Sequence, residues 1–407
     1  MSILLSEKTG GSLMIIDRYK IREQNEMLVL STIIHHPYIS RATISQLTGL
    51  NKASTSAIVK HLIEESLVNE LGTGGSTSVG GRKPILLELN KDAGCSLSID
   101  LGYDYVSSLL TNMNGEIIDH DKDRDFKVTN KNVISKILEI IHSYKHHFEK
   151  TLFQLVGITL AIHGIVDDNQ IIFTPYYDLD KMNLYQELKD ATNVPIYLEN
   201  EANLTALAET SFSTTKPNLI SVSIHSGIGA GIIIDGELYH GKHGQSGEIG
   251  HMILYPLGLA CPCGNLGCLE QYCSEKAVLQ EYRNMNDNKS LTLEDLADSY
   301  SNGEADAVAL IKKTSLNLSV GIRNIISVYA PEMIFINSPL TRKMPFLTDL
   351  IKAHIQSMFS KDVSIRNSDL GSQASLLGAA VMNLQNYYHI PNLYLNGKPL
   401  YTLEVKV

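Results

Sequence analysis

Nowhere in this chain does an apolar run approach the roughly 18 to 20 residues that a bilayer requires, and residues 1–11 lack the basic-then-apolar order of a secretory leader. No membrane span is expected, and the expected address is cytoplasmic. Low-complexity and disorder-type composition is missing as well. With 43% hydrophobic residues, the 407-residue chain can support two or three packed domains. Cysteine is scarce, at five, and three of the five (Cys261, Cys263 and Cys268) fall within eight residues. So few cysteines make no disulfide framework in a cytoplasmic chain, and spacing this close suits a metal better.

Positive charge is also in short supply. A net charge of −10 argues against a nucleic-acid partner, because neutralising phosphates needs Lys and Arg. The distribution changes that inference. Residues 1–90 carry 9 Lys+Arg against 8 Asp+Glu, while residues 91–407 carry 25 against 36. The acidity belongs to the second part, so DNA contact by the first would rest on a few well-placed cations.

In residues 24–35, Met27, Leu28, Leu30, Ile33 and Ile34 recur at helical spacing until Pro37 ends the pattern. Ser40 can cap a second helix through Arg41, Ala42, Ile44 and Leu47. Gly49 permits a tight turn, and Asn51 can cap a third helix over residues 52–66. Two short helices joined by a Gly-containing turn make a helix-turn-helix. In the third helix Ile58, Leu62 and Ile63 would face the core, leaving Lys52, Ser54, Thr55, Ser56 and Lys60 for the major groove. The same composition also suits a solvated surface helix, and the next twenty or so residues tip the balance. Leu67, Val68 and Glu70 lead into a Gly/Ser/Thr-rich stretch ending Gly80-Gly81-Arg82-Lys83-Pro84, then an apolar strand over residues 85–89. A hairpin in this position is a wing whose tip cations, Arg82 and Lys83, could enter a minor groove.

After Asn90, strand-like runs at residues 96–100, 158–162 and 220–224 alternate with helical patterns, which argues for an α/β fold in two halves. Gly227, Gly229 and Gly231 could cradle phosphate in a glycine-rich turn, a weak signal by itself. The run continues through Gly247-Glu248-Ile249-Gly250-His251 to Cys261-Pro262-Cys263-Gly264-Asn265-Leu266-Gly267-Cys268-Leu269-Glu270. His251, Cys261, Cys263 and Cys268 would fill a tetrahedral Zn²⁺ shell with no open position, the mark of a structural metal. Cys95 and Cys273 lack partners at ligand spacing and read as packing residues.

These residues resemble the ROK family of bacterial repressors and sugar kinases: residues 224–251 its glycine signature, the Cys-x-Cys-Gly-x-x-Gly-Cys-x-Glu run its zinc loop. The likeness extends to Gly371-Ser372-Gln373-Ala374 and Gly378-Ala379-Ala380. It implies an N-terminal winged helix-turn-helix (α+β; residues 1–90) and a duplicated α/β, actin-like, sugar-kinase-like (ribonuclease H-like) domain. The halves of that domain would span residues 91–210 and 211–407, with the C-terminal segment able to pack back on the first half. Glu199-Asn200-Glu201-Ala202-Asn203 is similar to the run found in repressors of Gram-positive bacteria that answer to xylose. The resemblance further implies that Asn200, Glu201, Glu248, His251 and Glu270 ring a monosaccharide, and that a homodimer or dimer of dimers binds operator DNA.

Kinases of the family place Asp where this chain has Glu201. Their Asp-x-Gly-Gly-Thr-Lys phosphate loop becomes Asp100-Leu101-Gly102-Tyr103-Asp104-Tyr105, a Gly-Thr pair becomes His225-Ser226, and a glycine pair becomes Asn337-Ser338. His163 stands where many relatives have Pro. The expectation is a sugar-sensing repressor of sugar-utilisation genes without kinase activity. The rivals are an active sugar kinase with a DNA-binding head, and a repressor controlled by a transport-system protein.

Overall fold

The computed structural model describes residues 10–73 and 84–395. The chain opens with α1 (Gly10–His35), β1 (Ile39–Ser40), α2 (Arg41–Thr48), α3 (Lys52–Glu64), β2 (Val68–Thr73) and β3 (Ile85–Leu89), the strands forming a sheet of order β1-β3-β2. Local chemistry sets the boundaries. Ser40 Oγ accepts from Thr43 N (3.2 Å), Gly49 leaves α2 at φ 72°, and Asn51 Oδ1 accepts from Ser54 N (2.8 Å). α1 starts well upstream of residue 24, because no Gly or Pro interrupts residues 12–36. The buried stripe of α3 is Thr55, Val59 and Leu62, which bears out Leu62 and adds Val59 and Thr55 to the expected inward face; Ile58 and Ile63 pack half-buried against the same core.

The rest of the chain builds two five-stranded sheets and a hairpin. The first sheet takes β4 (Cys95–Leu101), β5 (Val106–Asn112), β6 (Ile117–Asp123), β7 (Leu155–Ile162) and, after the hairpin β8 (Ile165–Asp167) and β9 (Gln170–Phe173), β10 (Ile196–Asn200). The second takes β11 (Leu219–Ile224), β12 (Ile228–Ile234), β13 (Glu237–Leu238), β14 (Met333–Asn337) and β15 (Ser364–Asn367). Their orders are β10-β7-β4-β5-β6 and β13-β12-β11-β14-β15, so one topology occurs twice. In each, the first three strands are antiparallel neighbours and the last two run parallel to the first. β4, β7, β11 and β14 are buried along their whole length; β7 and β14 accordingly read as nearly continuous apolar runs, whereas β4 and β11 keep buried polar side chains, among them Ser96, Ser98, Asp100, Ser221 and Ser223, between their apolar ones.

The helix Glu201–Ala208, buried at all eight positions, connects the two sheets. Glycine lets it approach: a Cβ on Gly231 of β12 would lie 2.3 Å from the Ala202 carbonyl oxygen. The helix Ala374–Tyr388 crosses it and packs on β4 and β7, where Asn383 donates to Ser96 Oγ (2.9 Å) and the Leu97 carbonyl (3.0 Å) and accepts from Thr159 (2.7 Å). Ile390, Leu393 and Leu395 beyond it share one apolar cluster with Val29, Ile33 and Leu62 of the N-terminal helices. Among the described residues, no helix is long and apolar enough to cross a membrane.

Candidate ligand cavity and metal centre

A cavity of about 550 Å³ lies where β10, the following helix and the β11–β12 turn meet the segment of residues 245–270. That volume falls within the range of small-ligand pockets. Asn200, Glu201, Glu248, His251 and Glu270, brought together on the sequence only by resemblance, all line it. Their readiness to meet a ligand differs. Asn200 caps its helix, Oδ1 accepting from Ala202 N (2.8 Å) and Asn203 N (3.1 Å), and its Nδ2 donates to the Gly164 carbonyl (2.8 Å). Its Oδ1 is engaged in the cap, and one Nδ2 hydrogen is left to face the cavity. Glu201 is 7% exposed, and its Oε1 accepts from Ser223 (3.0 Å) and Thr205 (3.2 Å), which fixes its carboxylate toward the cavity. His225 Nε2 lies 3.8 Å from the same oxygen, with burial holding its pKa below the ordinary value.

Beside the cavity, the ligand atoms of His251, Cys261, Cys263 and Cys268 lie within 4.8 Å of one another. Sulfurs bound to a tetrahedral zinc at about 2.3 Å would stand roughly 3.8 Å apart. Cys263 Sγ and Cys268 Sγ are 3.7 Å apart, and Cys261 Sγ is 3.5 Å from His251 Nδ1. Three thiols and an imidazole at this spacing fit a zinc ion. His251 also reaches the cavity, its Nε2 3.6 Å from Glu248 Oε2 and its Nδ1 3.7 Å from Glu270 Oε1. Cys261 Sγ in turn donates to Glu270 Oε1 (3.2 Å), linking the cluster to a cavity-lining carboxylate.

The glycine run behaves differently from its sequence reading. The turn comprises His225, Ser226 and Gly227, whereas Gly229 and Gly231 are paired inside β12 with Ser223 and Ser221. They serve helix packing rather than a phosphate cradle. At the other turn, the Tyr105 ring covers Gly102, where a Cβ would lie 2.2 Å from the ring. Asp100 is buried there among His163 (2.8 Å), Tyr105 (3.3 Å) and Ser375 (3.0 Å). Burial would lower the His163 pKa, but the Asp100 carboxylate and its hydrogen bond prevail and hold it at about 9.

Phe173, Pro175, Tyr176 and Gln245 also line the cavity and escaped the sequence reading. Phe173 ends the short β8–β9 hairpin and Pro175 and Tyr176 follow it without periodicity; Gln245, inside the glycine run, carried the only available signal. Among the expected DNA contacts, Lys52, Ser56 and Lys60 are exposed on α3 and Ser54 is half-buried. Lys60 pairs with Glu64 at 3.4 Å. Thr55 is a correction: it is fully buried and donates to the Asn51 carbonyl (3.0 Å), so it cannot reach a groove. Arg82 and Lys83 lie outside the described residues.

A family model described as "ROK family" matches residues 96–386. A xylose repressor of Staphylococcus xylosus is 39% identical over 385 residues, 93% of this chain and 99% of that one. Among solved structures, a ROK family transcriptional regulator described as a homologue of the E. coli Mlc protein has a TM-score of 0.77 at 28% identity, covering 90% of this chain and 97% of its own. A ROK family glucokinase from Streptomyces griseus shares the fold, with a TM-score of 0.62 at 22% identity over 71% of this chain and 99% of its own. Matched by the family model over most of its length and by repressors nearly end to end, the chain belongs to the ROK family, in its branch of transcriptional repressors.

Proposed function

We propose that this protein represses sugar-utilisation genes from the cytoplasm, binding operator DNA through residues 1–90 and sensing a monosaccharide, xylose foremost, without phosphorylating it. The observation that carries this reading is the convergence of Glu201, Glu248, His251 and Glu270 on one cavity. Carboxylates and an imidazole accept from and donate to vicinal hydroxyls, and a half-buried ring of them rejects a ligand that leaves any member unpaired. We assign the two halves around it to residues 91–210 and 211–407, with the helix Ala374–Tyr388 packing back on the first half. His251, Cys261, Cys263 and Cys268 would hold a structural Zn²⁺, whose contribution is to immobilise the imidazole that faces the sugar.

Kinase chemistry is disfavoured on the residues present. Glu201 would have to retract by about a methylene to act as the base, and a misplacement near 1 Å can cost about a hundredfold in rate. Where the kinase loop of the family resembles Asp-x-Gly-Gly-Thr-Lys, this chain has Tyr105, whose ring packs against Gly102. The three N-terminal helices and the antiparallel pair β2–β3 support reading this end as a winged helix-turn-helix, with Lys52, Ser54, Ser56 and Lys60 on the reading helix; Arg82 and Lys83, outside the described residues, are carried as candidate DNA contacts from the sequence alone. A homodimer, or a dimer of dimers, would match a palindromic operator. Sugar then modulates repression to the extent that the DNA-competent and DNA-incompetent states differ in sugar affinity.

The test is a gel-shift titration of the full chain on its operator with xylose, glucose and N-acetylglucosamine, alongside a coupled ADP-release assay with the same sugars. Operator binding that changes with xylose and no turnover is the expected pair of results. Operator binding indifferent to every sugar would remove the effector, and robust turnover would establish a kinase.

A further inference from the structure

Three contacts tie the segment of residues 239–246 to the first half of the α/β domain, and none belongs to the metal cluster. His240 Nε2 lies 2.8 Å from Glu199 Oε2, and His243 Nδ1 lies 3.4 Å from Asp167 Oδ2. Gly244, at φ 67°, presses against Val166, where a Cβ would come within 2.0 Å of the carbonyl oxygen. Val166 and Asp167 belong to β8 and Glu199 to β10, whereas the segment leaves β13 of the second sheet and runs on to Gln245 and Glu248 in the cavity. Glu199 works in both directions. It is 4% exposed, and its Oε1 accepts from Asn200 N (2.7 Å) and Asn203 Nδ2 (2.9 Å) at the start of the helix that carries Glu201.

We propose that Glu199, His240 and Gly244 form a clasp across the cavity, a positioning device that sets Gln245 and Glu201 about a bound monosaccharide and tightens when the sugar binds. The inference rests on the cavity being the monosaccharide site. A buried carboxylate is costly unless its oxygens are hydrogen-bonded, so Glu199 favours the conformation in which His240 reaches it. A ligand touching both walls adds its own contacts to that conformation, and the clasp strengthens binding by the extent to which it is better formed in the bound state. Gln245 then offers an amide donor and an acceptor to a sugar hydroxyl.

The charged groups facing His240 are Glu199 and Asp167. The hydrogen bond to Glu199 raises its pKa first of all, burial opposes, and the Glu199 and Asp167 charges and a backbone hydrogen bond to Leu238 add to the rise. Closing the clasp on an imidazole that was open to solvent therefore takes up a proton. Sugar affinity should fall as pH rises through the interval between the ordinary histidine pKa and the raised one.

The experiment is calorimetric titration of the full chain with xylose between about pH 6 and about pH 8, using wild type, His240→Gln, Glu199→Gln and Gln245→Ala, with bound zinc and thermal melting measured in parallel. Each variant should weaken xylose binding by roughly tenfold while keeping its zinc and a cooperative melt. His240→Gln and Glu199→Gln should also lose the pH dependence, which a merely structural role would leave in place. Xylose binding with wild-type affinity and pH profile in both variants overturns the clasp and leaves the cavity reading intact. A wild type that binds none of xylose, glucose or N-acetylglucosamine overturns the cavity reading and takes the clasp with it. Should Glu199→Gln fail to fold, His240→Gln decides the matter alone, since that imidazole is 46% exposed and its loss leaves the core untouched.

Discussion

Glu209 is a carboxylate with no place for its charge. It begins the π-helical turn Glu209–Ser213 that ends the cavity helix and is fully buried, with Ser213 and Ser368 as its polar neighbours. Burial pushes its pKa up to about 7; Ser213, Ser368 and Arg366 oppose the rise, and Asp369 adds to it. The folded chain therefore keeps this proton where the unfolded chain, with an ordinary value of 4.5, releases it. Stability should fall as pH climbs from the ordinary value to the raised one, by up to roughly 3 kcal/mol, and Glu209 should add no further slope above it. Glu209→Gln, neutral at every pH, should flatten that part of a denaturant-unfolding profile; an unchanged slope would assign the effect elsewhere. On the DNA side, Lys52→Ala should weaken operator binding about equally across sequences and reduce the salt slope by about 1. Anisotropy titrations over a range of salt concentrations measure both. Thr55→Ala should instead be read out in stability, because that side chain is turned inward against Asn51.

The helix Glu201–Ala208 is the element through which the cavity meets the rest of the fold. Its crossing with the helix Ala374–Tyr388 is close enough that a Cβ on Gly378 would lie 1.8 Å from the Leu204 carbonyl oxygen. Gly378→Ala gains helix propensity but forces the two backbones apart, so the expected result is a loss of about 1 to 3 kcal/mol and weaker xylose binding as Glu201 shifts. A Tm equal to wild type would mean the crossing relaxes without cost. Signals that are local along the chain were legible here. Ser40, Gly49 and Asn51 mark helix ends by their own hydrogen bonds and φ, and β7 and β14 announce themselves as apolar runs. Phase was harder: α3 carries apolar residues at both 58–59 and 62–63, and tertiary packing chose Val59 and Leu62, with Thr55 completing the stripe. Gly229 and Gly231 read as a turn because glycine signals loop and close packing alike, and only the neighbouring helix distinguishes them.

At the scale of the whole molecule, the candidate metal cluster was readable because three of its four residues fall within eight positions, and the cavity only in part because its walls come from both halves. Asn200, expected as a sugar contact, lines the cavity while its Oδ1 also caps a helix, and Gln245 arrives from a segment that contacts the opposite half. His251 belongs to the cluster and the cavity at once, through Nδ1 near Cys261 and Nε2 near Glu248. The N-terminal helices, by contrast, share their apolar cluster with Leu393 and Leu395, and none of the four ligand residues takes part in it. Metal removal should therefore separate the two activities. A structural zinc stabilises only the folded arrangement of its ligands, so a chelator should lower the Tm and free the His251 ring and the carboxylates that face it. Chelated protein is expected to retain operator affinity within a few-fold while xylose no longer changes it, and added zinc should restore the response. Anisotropy on labelled operator, with and without xylose and with zinc measured on the same samples, tests this. Loss of operator binding in step with the metal would mean that the cluster supports the DNA-binding end as well, and an undiminished xylose response would remove His251 from the sugar's contacts.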